Sequence, residues 1–85
     1  MIKDEKREQE LLQQIVSGNK VAMKNFYDIY SGYLTAVCSR YVPNKEDVKD
    51  ILQESFINIF KSINKFKYRG KGSLKAWSAR IVVNE

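Results

Sequence analysis

The stretch FKYRGKGSLKAW, residues 66–77, holds the residues best suited to chemistry, and that chemistry is binding. Lys67, Arg69, Lys71 and Lys75 can attract phosphates, while Phe66, Tyr68 and Trp77 offer faces on which unpaired bases stack. Gly70 and Gly72 let the backbone come close to a ligand. A helix starting at Ser73 would add its positive N-terminal end at the same place. Together these suit single-stranded DNA or RNA, although a Gly/Lys loop is also a cheap connection between two helices. The phosphate-binding pattern GxxxxGK[ST] is absent from the sequence.

Covalent chemistry finds little support. The chain has no histidine, which excludes histidine-based acid–base catalysis. One cysteine with some carboxylates is not a usual structural zinc set. Cys38 stands at helical spacing among Leu34, Val37 and Tyr41, so it reads as a buried thiol. No nucleophile–base pair emerges, and the chain reads as a non-enzyme without metal or cofactor.

Charge sharpens the picture. The net charge is +5, but residues 1–60 carry eight Lys/Arg against nine Asp/Glu, a net of −1. Residues 61–85 carry seven Lys/Arg against one Glu, a net of +6. An anionic partner for the C-terminal third is one explanation, and a solvated basic face is the other.

The elements that must position this segment are helical. The chain's 85 residues make one small domain, and a hydrophobic fraction of 44% argues for a folded one. The periodicity predicts an all-α bundle of four helices at about 5–17, 20–41, 45–64 and 73–85, with a basic loop at 65–72. Leu11, Leu12, Ile15 and Val16 share a face of the first helix; Gly18 stops it and Asn19 caps the second. The second helix places Val21, Met23, Phe26, Tyr30, Tyr33, Leu34, Val37 and Tyr41 on its apolar side, with Gly32 as a weak point. Pro43 and Asn44 separate it from the third. Ser73 offers a hydroxyl cap for the fourth, where Leu74, Trp77 and Ile81 are expected to pack against the third. Arg80 and Asn84 share a face, with Lys75 nearby, as a DNA-facing or merely solvated strip. No apolar run approaches the roughly 20 residues that span a bilayer. The charged start MIKDEKREQE is unlike a signal peptide, so a cytoplasmic protein without membrane insertion is expected. The fourth helix is still periodic near the last residue, which reads as a fragment of a longer chain.

One residue of the third helix does not fit the bundle. At about 100° per residue from Val48, the positions Leu52, Ser55, Phe56, Ile59 and Ile63 fall within roughly −20° to +80°. Ile57 falls near 180°. Around it lie Asp50, Gln53, Glu54, Phe60, Lys61 and Asn64. An apolar centre with a polar rim is the make-up of a small protein interface. The alternatives are a stray exposed apolar residue or a first helix that folds back over it.

The run DVKDILQESFINIFKSINKFKYRGKGSLKAWSARIVVNE resembles region 2 of bacterial sigma factors, in the extracytoplasmic-function group. That group shows an acidic residue, a hydrophobic-QE-x-F run, a basic-aromatic loop and a W-x-x-R-I-x-x-N helix. Here these are Asp50, Leu52 to Phe56, Phe66 to Gly72, and Trp77 with Arg80, Ile81 and Asn84. The upstream SGNKVAMKNFYDIY resembles the family's opening helix pair, so the resemblance covers about residues 8–85.

The resemblance implies a promoter-recognition and melting domain of an alternative sigma factor. Asp50, Gln53 and Glu54 would contact the coiled-coil clamp of the largest subunit of core RNA polymerase, with Ile57 and Phe60 on the same face. The DNA-binding set would be Lys67, Tyr68, Arg69, Lys71, Ser73, Lys75, Arg80 and Asn84. Within it, the loop from Tyr68 to Ser73 would capture a flipped base of the −10 element's non-template strand, and the fourth helix would lie along the promoter. An anti-sigma factor is a common further partner in the group, but no residue names one. Lys71 and the doubled glycine depart from relatives with a shorter or more acidic loop, which bears on base preference. The group's second domain, which binds the −35 element, is expected to be absent from this chain. A sequence-independent single-strand binder and a purely protein-binding bundle remain as alternatives. Only the sigma reading requires the outward face of the third helix.

Overall fold

The computed structural model describes residues 2–84, with side chains from Lys6 onward. Among the described residues the chain forms four helices: α1 (Ile2–Val16), α2 (Lys20–Ser39), α3 (Lys45–Ser62) and α4 (Ser73–Val83). A short 3-10 turn, Ile63–Lys65, follows α3. The expected bundle is therefore present: the starts at 20, 45 and 73 coincide, and the other described ends shift by one to three residues. The expected end of the last helix at Glu85 lies outside the described residues. No helix among the described residues is long and apolar enough to cross a membrane.

Two asparagines start two of these helices. Asn19 Oδ1 accepts the Ala22 N–H at 3.1 Å, and Asn44 Oδ1 accepts the Glu46 and Asp47 N–H groups at 2.8 and 3.4 Å. Each satisfies donors that a helix start leaves open. Glu46 and Asp47 in the first turn of α3 also complement its dipole. Gly18 ends α1 with φ of 90°. Gly32 does not interrupt α2, which runs unbroken from Lys20 to Ser39.

α2 is the central helix, packing on α1, α3 and α4, while α3 packs on α4 and α1 reaches the 3-10 turn. Phe26 sits at the middle with no exposed surface. Its ring lies 4.6 Å from Tyr30, 5.6 Å edge-on from Phe60 and 6.1 Å edge-on from Phe56. Leu34, Ile59 and Leu74 are equally buried. Ser55 and Ser78 are also fully buried, and each hydroxyl donates to the carbonyl four residues back, Ile51 and Leu74. That bond removes the cost of an unpaired hydroxyl in the core.

Several expected core positions face water instead. Val16, Val21, Tyr33 and Tyr41 are exposed, whereas Ala22 is buried. A helix of 3.6 residues per turn buries a stripe narrower than the list of its apolar residues, and small Ala22 lets α2 approach its neighbours. In α4 the buried line is Leu74, Ser78 and Val82, at strict four-residue spacing. Trp77 and Ile81, expected to pack with Leu74 against α3, do pack on the core but are only partly buried. Cys38 is buried as expected, and burial pushes its thiol above the ordinary range.

Candidate functional site

The basic segment takes its shape from two glycines. Gly70 and Gly72 have φ of 113° and 84°, a region L-residues rarely adopt. Gly72 occupies the capping position of α4 and brings no side-chain acceptor. The expected hydroxyl cap by Ser73 is not formed. Ser73 is already helical, and its Oγ accepts the Arg69 N–H at 3.1 Å, closing the loop on itself. The loop is also held from the far end of the sequence. Glu8 Oε2, on α1, accepts the Tyr68 hydroxyl at 3.1 Å and the Gly72 N–H at 3.3 Å.

On one side of this loop runs a groove of about 460 Å³. Phe66 and Trp77 form its aromatic floor, their ring centres 5.0 Å apart and tilted by 42°. Lys65, Lys67, Arg69 and Arg80 surround them, with Ser73 and Ala76 at the helix end. Cations around paired aromatic faces can hold a phosphate chain and stack a base.

Of the eight residues expected to bind DNA, Lys67, Arg69, Ser73 and Arg80 line this groove. Lys71 and Lys75 line a separate cleft, with Gly72 and with Arg7, Glu8, Leu11, Ile29 and Tyr30 of α1 and α2. There the Lys75 ammonium lies 4.1 Å above the Tyr33 ring. Tyr68 is turned toward Glu8. Asn84 ends α4, exposed, its N–H on the Arg80 carbonyl at 3.1 Å. Lys75 and Arg80 therefore do not form a single strip along α4. Five residues apart, they are rotated by about 140° around the helix.

Sequence reasoning missed Glu8, Tyr33 and Lys65. Glu8 lies 60 residues from Tyr68, so no local pattern connects them. Lys65 lies at the edge of the predicted loop, where nothing in the sequence separates it from a merely solvated lysine.

The outward side of α3 carries a second surface. Asp50, Gln53 and Glu54 are exposed, and Ile57 keeps 45% of its surface exposed. α1 lies against α2 and the 3-10 turn, so it does not fold back over Ile57. Phe60 behaves differently from its expected neighbours. It is only partly exposed, and its ring packs on Phe26 and Phe56. It joins this face by an edge at most, because its angular position borders the core stripe. Among the described residues, no group of three or more metal-ligating side chains is present.

Comparison with known proteins places the chain in a family. The model of sigma-70 region 2 matches residues 26–85, most of the chain. Over 77 residues the chain is 34% identical to the ECF RNA polymerase sigma-E factor of Haemophilus influenzae and to that of Salmonella typhimurium. It is 32% identical to that of Escherichia coli K12. In each case the match covers 91% of this chain and 39% of the relative, so the chain spans well under half the length of these relatives. With the helix order, the QE-x-F face and the basic-aromatic loop in place, the chain belongs to the sigma-70 region 2 family of RNA polymerase sigma factors.

Proposed function

We propose that this domain recognises and melts the −10 element of promoters as part of an alternative sigma factor bound to core RNA polymerase. The outward face of α3 docks on the clamp coiled coil of the largest subunit. Ile57 is the apolar centre, Asp50, Gln53 and Glu54 form the polar rim, and Phe60 lends an edge. The loop and α4 take the unpaired non-template strand. Phe66 and Trp77 stack against an extruded base while Lys67, Arg69 and Arg80 hold phosphates. Lys71 and Lys75 attract the strand from the separate cleft. Capturing an unstacked base lowers the free energy of the open state, so binding drives melting without covalent chemistry. Such a domain works in the cytoplasm, with the chromosome as its partner.

The observation that carries this reading is Ile57, left 45% exposed among acids and amides on an otherwise well-packed helix. A sequence-independent single-strand binder would need only the groove. The two readings separate in one assay: retention of the protein on immobilised single-stranded DNA, with and without bacterial core RNA polymerase. Promoter function predicts retention that rises about tenfold or more when core enzyme is added, because two weak sites then act together. Equal retention with and without core enzyme contradicts it and favours the single-strand binder.

A further inference from the structure

The loop that carries the basic groove is tied to a helix outside residues 26–85, the part matched by the family model. Glu8 projects from α1, and one of its oxygens accepts both the Tyr68 hydroxyl and the Gly72 N–H. Tyr68 and Gly72 lie toward opposite ends of the loop, so one carboxylate fixes both. Gly72 is also the residue before α4, where no side chain of its own segment caps the helix. A carboxylate there meets an open N–H and the positive end of the dipole, both of which favour it. The site is partly desolvated. Tyr30, beside it, has its hydroxyl pushed up by burial and by the Glu8 charge.

We propose that Glu8 is a positioning residue for the nucleic-acid-binding loop, an acceptor supplied by α1 that caps α4 from outside and presets the loop around Tyr68 and Gly72. This rests on the loop being the DNA site. Gly70 and Gly72 make the segment conformationally free, and ordering it only on binding would subtract from affinity. Glu8 places that ordering in the unbound protein. It also links α1 to the reading of DNA: α1 contributes no residue to the aromatic groove, and Arg7, Glu8 and Leu11 only to the cleft beside Lys71 and Lys75.

The sign of the effect makes the proposal testable. Removing a negative charge near a polyanion site strengthens binding by electrostatics alone, whereas loss of the loop's support weakens it. Glu10, on the same helix, is an exposed control for charge. Glu8→Ala and Glu10→Ala change charge and helix propensity equally. Two readouts are needed: hydrogen exchange at the Gly72 amide without DNA, and affinity for a labelled oligothymidylate at low salt. The expected result is Gly72 exchange faster by about tenfold in Glu8→Ala only, with oligothymidylate affinity about three- to tenfold below that of Glu10→Ala. Glu8→Gln, which keeps an acceptor oxygen, should fall between, with unchanged circular dichroism. Affinity equal to or tighter than that of Glu10→Ala overturns the proposal; tighter binding would make Glu8 a competitor of phosphate. If the unaltered protein does not bind oligothymidylate, the loop is not the DNA site. Faster Gly72 exchange in Glu8→Ala would then assign Glu8 to folding alone.

Discussion

Ile57 and Phe56 are adjacent, equally apolar and oppositely used. Phe56 is 6% exposed and meets Phe26 edge-on, while Ile57 is 45% exposed with Gln53 and Glu54 one turn away. Folding accounts for the first and leaves the second exposed; the proposed polymerase contact is what would cover it. The same separation applies to Gln53, whose exposed side chain the fold does not require. Gln53→Ala should leave helix content and thermal midpoint unchanged, because surface substitutions away from caps have little effect. Affinity for core polymerase should fall about tenfold, in line with truncation of an interface residue. A drop in helix content instead would place Gln53 in the fold rather than at the interface.

At the level of elements, the four helices were legible from their apolar periods, with glycine, proline and asparagine marking the breaks between the first three. Asn19 and Asn44 are the clearest signals: Asn19 caps as expected, and Asn44, read as a break before the third helix, proves to cap it as well. Asn44→Ala should therefore destabilise the domain by about 1 kcal/mol. In a urea titration this shifts the midpoint to lower concentration with an unchanged slope; an unchanged midpoint would show that the α3 cap contributes nothing. The start of α4 misled for a physical reason. Ser73 has the side chain of a cap, but Gly72 takes the left-handed backbone that precedes the helix, and the serine hydroxyl turns to the Arg69 N–H. In α4 the expected Leu74, Trp77 and Ile81 do pack on the core, Leu74 fully and the other two in part, while the small Ser78 and Val82 complete the closely packed line.

Across the whole molecule, what stayed hidden is what spans the sequence. The Glu8 bonds cross 60 and 64 residues, and the Lys75–Tyr33 contact joins α4 to α2. No periodicity encodes such pairs; they follow from how α1 and α4 dock on α2. The candidate DNA residues were found as a segment, yet they divide between two clefts. Asp50, Gln53, Glu54 and Ile57 are exposed on α3 as their angular positions suggest, while the core claims Phe60 in part. The result is a small domain with two separate surfaces, one basic and aromatic, one apolar with a polar rim. The proposed coupling of polymerase to an opened promoter would use both.

The most direct test is binding of this protein to the isolated clamp coiled coil of bacterial RNA polymerase, with Ile57→Glu as the paired variant. The account predicts saturable binding that the substitution weakens by about a hundredfold, because a charge would be buried at the centre of the contact. The folded variant should keep its circular dichroism. No binding by the unaltered folded protein, or equal binding by Ile57→Glu, would contradict the assignment of the outward face of α3 to polymerase.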